Sequence, residues 1–171
     1  MIIRKGNMKD LEKIVEVESL CFPPSEAATK ETLKQRLNVY ANHFWLLWED
    51  NVLVSFIDGM TTNEKDLKDK MYEDTSMHDE HGDWQMIFGV NTIPTFQHQG
   101  YARHLMNHFN VETRKEGKKG LVLTCKEKLI PFYEQFGFID EGISESVHGN
   151  VVWYQMRLLF EGDINDKKED K

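Results

Sequence analysis

The chain has 171 residues with a formal net charge of -8, and 40% of its residues are hydrophobic and 29% charged. These values fit one globular domain with a sizeable core and exclude a disordered chain. The acidic balance argues against nucleic acid as a partner, because binding to phosphates requires clustered Lys and Arg.

The cellular location is inferred from sequence features. No apolar run is long enough to cross a membrane, and no signal peptide is recognisable, so we expect no membrane partner and a cytoplasmic location. Cys21 and Cys125 have neither metal-ligand nor disulfide spacing and are expected to be buried. The chain divides into one domain over residues 1–160 and an acidic tail over residues 161–171, which is expected to be flexible.

The first sixty residues predict a strand, two helices and a β-hairpin. Asn7 followed by Asp10 forms a capping-box pattern, which marks the start of the first helix, and Thr29 can cap the second. A turn separates two runs rich in aromatic and β-branched residues, as expected for a hairpin. The predicted elements are a strand at residues 1–4, helices at 11–21 and 30–38, and strands at 43–49 and 52–60.

Residues 61–83 are dense in charge and allow two interpretations. The segment is either a solvated loop or an excursion that covers a pocket, with a helical turn or two over residues 66–72.

The remainder of the chain predicts a strand, a helix, a strand, a short helix and a hairpin. Gly89 interrupts the first of these strands and suggests a bulge or a close backbone approach. The long helix begins after Gly100 and ends near Gly117. The predicted strands are residues 84–92, 120–125, 138–146 and 151–160, and the short helix is residues 129–136. The whole is a mixed α/β or α+β domain with about seven strands and about four helices.

The turn before the long helix has the spacing Q-x-x-G-x-A over residues 97–102. A helix N-terminus has backbone N–H groups without intrahelical partners and a partial positive charge, so it can bind a pyrophosphate through its main chain. Gly100 and Ala102 are small enough to let a phosphate approach. On its own, this pattern also fits an ordinary turn.

Together with a second motif, this turn resembles the GNAT N-acetyltransferases, which transfer an acetyl group from acetyl-coenzyme A to an amine. Gln97, Gly100 and Ala102 match the family's Q/R-x-x-G-x-G/A motif. Residues 129–138, Leu-Ile-Pro-Phe-Tyr-Glu-Gln-Phe-Gly-Phe, resemble the second signature in the form found in arylalkylamine (serotonin) N-acetyltransferases. The resemblance implies a GNAT-type, mostly antiparallel mixed sheet in which the parallel strands from Trp84 and Gly120 splay apart.

The resemblance also implies the residues that bind acetyl-CoA. Main-chain groups at the helix start would bind its pyrophosphate, the preceding strand would pair with its pantetheine arm, and Tyr133 would be a general acid near the thioester sulfur. A phenol with an ordinary pKa of about 10 suits that task, although Tyr133 also fits simple packing beside Phe132 and Phe136. The cofactor-binding residues implied are Val90, Asn91, Thr92, Gln97, His98, Gln99, Gly100, Tyr101, Ala102, Arg103 and Tyr133.

The residue that takes a proton from the amine is left open by the resemblance. Serotonin-type enzymes have two histidines in the strand before the phosphate motif, and these positions correspond to Met86 and Phe88. Glu26 and His148, in two loops that border the acceptor site in this family, are the catalytic candidates, although each also fits a capping or solvent-exposed role. The residues that can form aromatic walls of an acceptor pocket, or equally pack in the core, are Phe22, Phe44, Trp153 and Tyr154.

Two groups of histidines have spacings that suggest metal binding. His104 and His108 lie four residues apart on the long helix, and His78, His81 and Asp83 belong to an acidic run. The helical pair lacks the Glu of H-E-x-x-H, and the run lies in a loop without a further fixed ligand. No metal is therefore expected.

These motifs predict an acetyl-CoA-dependent N-acetyltransferase that acts on a primary amine by direct attack on the thioester. A small amine is favoured as the acceptor, a peptide or protein amine is the alternative, and a monomer or homodimer is expected. A coenzyme A-binding module without turnover is the alternative from a different class. A deep aromatic pocket would indicate small amines, and an open groove beside residues 22–29 would indicate peptides.

Overall fold

The computed structural model describes residues 1–161, which form nine β-strands and four α-helices. The strands are β1 Ile2–Lys5, β2 Phe44–Glu49, β3 Val52–Asp58, β4 Thr61–Thr62, β5 Trp84–Ile87, β6 Gly89–Thr92, β7 Gly120–Cys125, β8 Ile139–Ile143 and β9 Tyr154–Leu159. The α-helices are α1 Leu11–Cys21, α2 Lys30–Tyr40, α3 Tyr101–Lys115 and α4 Ile130–Glu134. Apart from its first residue, the tail predicted over residues 161–171 lies outside the described residues.

Side-chain caps fix the start of the first two helical segments, as predicted. Asn7 and Asp10 form a capping box around a 3-10 turn that leads directly into α1. The Thr29 hydroxyl accepts a hydrogen bond from the backbone N–H of Thr32 at 3.2 Å and so begins α2. Each such cap contributes about 1 kcal/mol to stability.

The strands form two sheets, which confirm the predicted mixed α/β fold. One sheet has the order β1-β2-β3-β6 and is antiparallel, and the other has the order β4-β5-β7-β9-β8, in which only β5 and β7 are parallel. The structure has two more strands than predicted. The strand expected over residues 84–92 divides at Phe88, and Thr61–Thr62 adds a short edge strand.

The two sheets separate at Phe88, where the predicted splay occurs. The parallel pair ends where Ile87 lies opposite Leu123, while β7 continues to Cys125 in pairing with β9. From Gly89 onward, β6 pairs with β3 in the other sheet. One edge of β6 is therefore left facing β7 across an opening, with backbone groups that a ligand can satisfy.

Two apolar clusters form the core. One packs α1 and α2 against the sheets, and the other packs α3 and α4. Phe56 belongs to the first cluster and the next residue, Ile57, to the second. Because successive strand residues point to opposite faces, the two pairs of helices cover opposite faces of the sheet.

The charged segment over residues 61–83 covers a pocket. Leu67 and Met71 are buried in the cluster of α1 and α2, and Asp69–Tyr72 is a 3-10 helix. Tyr72 and Glu73 line the pocket described below. The alternative of a solvated loop is therefore wrong.

Gly59 permits the close crossing by which the chain passes from one sheet to the other. A Cβ built on Gly59 would lie 1.8 Å from the carbonyl oxygen of Met86. Gly59→Ala should therefore lower the free energy of unfolding by about 3 kcal/mol, measured by urea denaturation. The control is Gly142→Ala, whose added Cβ meets nothing within 4 Å, so that its cost is only the backbone strain of its φ of 92°, about 1 kcal/mol. Equal losses in the two variants would contradict a steric role for Gly59.

None of the helices in residues 1–161 combines the length and the apolar character needed to cross a membrane. Both cysteines are free thiols; Cys125 is buried as expected, whereas Cys21 is only half-buried.

Candidate functional site

Two adjoining cavities lie where the sheets separate. A groove of about 810 Å³ runs past the start of α3, and a pocket of about 150 Å³ lies beside the loop that follows α1. The residues that line both cavities are Phe22, Val90, Leu129, Tyr133 and Trp153. A molecule in the groove can therefore meet a second molecule in the pocket beside Tyr133.

The start of α3 has the features of an anion-binding site. Gly100 precedes the helix in a left-handed conformation, with φ of 88°, and no side chain of residues 1–161 caps the first turn. A Cβ built on Gly100 meets nothing within 4 Å, so the space in front of the helix is open. The first N–H groups of this 15-residue helix therefore face a cavity and have no side-chain partner in the part of the chain that the structure describes.

Most of the residues predicted to bind the cofactor lie in this groove. Those that line it are Val90, Thr92, Gln97, His98, Gly100, Tyr101, Ala102, Arg103 and Tyr133. Asn91 and Gln99 do not line it, because the Asn91 amide bonds to α1 on the other side of β6 and the Gln99 amide donates to Thr95. The Gln97 amide donates to the carbonyl of Thr92 at 3.0 Å and so ties the turn to β6.

The groove is cationic although the chain as a whole is acidic. Arg103 comes from the motif, and Lys126, which pairs with Glu26, and Lys128 come from the segment after β7. The motif pattern identified Arg103 but did not indicate the two lysines. The open helix start and these cations together fit a ligand that carries several phosphates, such as coenzyme A.

Tyr133 is placed by packing at the junction of groove and pocket. It is 7% exposed and packs edge-on against Phe132 and Phe138. Burial, with a smaller effect of Cys125, raises the pKa of the Tyr133 phenol. The phenol therefore keeps its proton at neutral pH and suits the role of a hydrogen-bond donor. Complete transfer of this proton to a thiolate is less favourable than transfer from a tyrosine of ordinary pKa.

Glu26 lines the pocket, but its carboxylate already has a cationic partner. The residue is 8% exposed. Lys126 Nζ lies 2.9 Å from Glu26 Oε1 in an ion pair. The geometry thus gives Glu26 a role in holding the loop after α1 against the segment after β7.

His148 also lines the pocket, in a 3-10 turn between β8 and β9. Its Nε2 lies 2.8 Å from the backbone carbonyl of Glu26, and its ring stacks on Tyr72 with centroids 5.4 Å apart. Because a carbonyl only accepts, Nε2 must carry the proton. In the neutral ring, Nδ1 is therefore the nitrogen that can accept a proton.

These contacts join the two loops that border the pocket. The Trp153 indole donates to the carbonyl of His148 at 2.7 Å, which braces the second loop. Phe22 and Trp153 line the pocket, whereas Phe44 is fully buried in the core and Tyr154 does not line either cavity. The aromatic walls were therefore predicted in part.

Met86 and Phe88, the two positions compared above with catalytic histidines, have no proton-transfer groups. Met86 is fully buried in the core. Phe88 lines the pocket, with its ring against Tyr72 and the Arg36 guanidinium.

A buried polar network beneath the pocket was not foreseen. Glu18 on α1 and Arg36 on α2 both line the pocket, and Arg36 pairs with the buried Asp58 at 2.9 Å. In the sequence, Glu18 and Arg36 are ordinary charged positions of amphipathic helices, and Asp58 is a charged residue at the end of a strand. Their burial depends on long-range partners, so no local pattern could have identified them.

The acidic run near His78 approaches one further potential metal ligand, His43. The ligand atoms of His43, His78 and Glu80 lie within 4.8 Å of one another. The expectation that no further ligand approaches this run is therefore wrong. However, the Thr61 N–H donates to His78 Nδ1, which places the proton of the neutral ring on Nε2, toward Glu80. The contacts fit a hydrogen-bonded cluster, and the absence of a metal stays a prediction.

Known proteins share this architecture. A model of the acetyltransferase (GNAT) family matches residues 11–138. The loading GNATL domain of CurA from Lyngbya majuscula has a TM-score of 0.81 at 15% identity, with 92% of this chain and 96% of that chain covered. The GphF GNAT-like decarboxylase in complex with isobutyryl-CoA has a TM-score of 0.77 at 15% identity, with 93% and 99% covered.

A third solved structure, the ribosomal-protein-S18-alanine N-acetyltransferase from Escherichia coli, has a TM-score of 0.68 at 18% identity, with 95% of this chain and 97% of that chain covered. No curated protein matches the sequence. At these identities, the solved structures establish a common fold.

Proposed function

This chain belongs to the GNAT acetyltransferase family, and we propose that it transfers the acetyl group of acetyl-CoA to the nitrogen of a small primary amine. The observation that carries the proposal is the meeting of the two cavities at Tyr133. The groove has the phosphate-binding helix start and cations, and the pocket has aromatic and acidic walls. This arrangement suits a two-substrate transfer in which acyl donor and amine approach from opposite sides.

Different residues of the chain bind the cofactor, orient it and stabilise the charge that develops during the transfer. Bound acetyl-CoA supplies an activated thioester. The uncapped N–H groups at the start of α3, with Arg103 and Lys128, bind phosphate, and the free edge of β6 orients the pantetheine arm that leads toward the junction. Tyr133 presents its phenol proton at the junction, where it can stabilise negative charge that develops on sulfur.

The closed form of the pocket supports a small amine rather than a peptide. A peptide would need an open groove beside residues 22–29. His148 instead bonds to the carbonyl of Glu26, and a Cβ on Gly149 would lie 2.7 Å from Glu26 Cγ. The two loops are thus in contact over the pocket. A protein N-terminus or lysine remains the second acceptor class, and the local resemblance to arylalkylamine enzymes suggests the first amines to test.

Release of coenzyme A thiol from acetyl-CoA tests the proposal. The full chain is assayed with arylalkylamines, polyamines, aminoglycosides and short peptides, together with a control without acceptor. Thiol release with a small amine supports the proposal, and release with peptides alone would replace it by peptide acetylation. Silence with every acceptor, while calorimetry shows acetyl-CoA binding, would favour the binding module without turnover. A cytoplasmic location is part of the proposal.

His148→Ala should raise KM for the amine about fivefold and change kcat little. The reason is that His148 joins the two loops through one hydrogen bond worth about 1 kcal/mol. Steady-state kinetics at saturating acetyl-CoA measure both constants. A large loss of kcat with KM unchanged would instead indicate that Nδ1 of His148 takes the proton of the amine.

A further inference from the structure

The pocket contains a buried carboxylate that forms no ion pair among residues 1–161. Glu18 is 6% exposed and lines the pocket. Its Oε1 accepts a hydrogen bond from Asn91 Nδ2 at 2.7 Å, and its Oε2 accepts one from the backbone N–H of Ala28 at 2.9 Å. Both donors are neutral, so they orient the carboxylate without cancelling its charge.

Two other buried acids nearby do have cationic partners. Glu26 pairs with Lys126, and Asp58 pairs with Arg36, each at 2.9 Å. Burial raises the pKa of the Glu18 carboxyl, and the charge of Asp58 adds to this effect. The hydrogen bonds from Ala28 and Asn91 partly oppose this rise in pKa, as does the more distant charge of Arg36, which is not bonded to Glu18. A buried charge without a counter-ion is unfavourable, so a cationic ligand at this position would gain from neutralising it.

Glu18 also has hydrogen-bonding capacity to spare. A carboxylate offers about four acceptor positions, and the contacts with Asn91 and Ala28 use one on each oxygen. The rings of Phe22, Tyr72 and Phe88 line the same pocket and suit the apolar part of a ligand. Of the other charged residues that line the pocket, Glu26 and Arg36 are each held in an ion pair, and Glu73 is exposed. Glu18 is therefore the buried carboxylate of the pocket that lacks an ion-pair partner among residues 1–161.

We propose that Glu18 binds the ammonium group of the acceptor and makes the pocket selective for cationic amines over uncharged molecules of the same shape. The inference rests on the proposed function and adds the residue that recognises the acceptor. It does not assign the removal of the proton to Glu18.

Binding of a charged and an uncharged probe tests the inference without requiring turnover. Calorimetry with the full chain and coenzyme A compares 2-phenylethylamine, an ammonium at pH 7, with 2-phenylethanol. Wild type should prefer the amine by about 30-fold, because hydrogen bonds to charged groups are the stronger ones. Glu18→Gln should reduce this preference to near unity while the affinity for coenzyme A changes less than about twofold.

Glu18→Asp is the matched control, since it retains the charge and shortens the side chain. It should keep most of the preference for the amine, and it decides the question if the Gln variant does not fold. Preservation of the preference in Glu18→Gln, or its complete loss in Glu18→Asp, would overturn the inference. Failure of wild type to acetylate any amine would overturn the proposed function alone, because ammonium binding is measured separately.

Discussion

Gly100→Glu should weaken acetyl-CoA binding by about 1,000-fold or more and abolish acetyl transfer, because the new carboxylate would occupy and charge the space in front of α3. Nothing lies within 4 Å of a Cβ at this position, so the side chain is not excluded by protein atoms. Isothermal titration with acetyl-CoA measures the loss. Normal affinity would show that the cofactor does not bind at the start of α3.

Gly117→Glu is the matched control for this variant. Gly117 follows the other end of α3, has a φ of 79° against 88° for Gly100, and also has no atom within 4 Å of an added Cβ. Both variants therefore introduce a similar backbone strain, of about 1–2 kcal/mol. We expect Gly117→Glu to lower stability to a similar extent and to leave acetyl-CoA affinity nearly unchanged.

Tyr133→Phe should lower kcat about 100-fold with little change in acetyl-CoA affinity, since a positioned acid contributes at least that much. The substitution removes only the hydroxyl, and the ring can keep its edge-on packing with Phe132 and Phe138. Stopped-flow detection of thiol release gives kcat, and calorimetry gives the affinity.

The pH dependence provides a second test of Tyr133. Because burial raises the pKa of the phenol, its proton is retained throughout the neutral range. The loss of activity in Tyr133→Phe should therefore be equal at pH 6 and pH 8. Tyr154→Phe, which does not line either cavity, is the control. Unchanged turnover in Tyr133→Phe would remove this residue from the acid role.

Local sequence patterns predicted the parts of the fold that depend on local interactions. The capping box at Asn7, the cap at Thr29 and the start of α3 after Gly100 each follow from neighbours a few residues away. The division of the strand at Phe88 is indicated in the sequence only indirectly, by the glycine at position 89. It depends on which sheet each half joins, which is a long-range choice.

The acceptor side of the site was harder to predict for the same reason. Glu18 is buried because Asn91, 73 residues away in sequence, donates to it. Leu67 and Met71 reach the core from a segment whose composition is that of a solvated loop. Hydrophobic periodicity reflects the average polarity pattern of a whole segment. It therefore does not identify a single polar residue that points into the core, or two apolar residues that anchor a charged loop.

The most direct test of the proposed acetyl transfer is mass spectrometry of the products formed by the full chain from acetyl-CoA and 2-phenylethylamine. N-acetylated amine and free coenzyme A should form in equal amounts, and both should be lost in Gly100→Glu. Free coenzyme A accompanied by unmodified amine, or no reaction while acetyl-CoA remains bound, would contradict the proposed acetyl transfer.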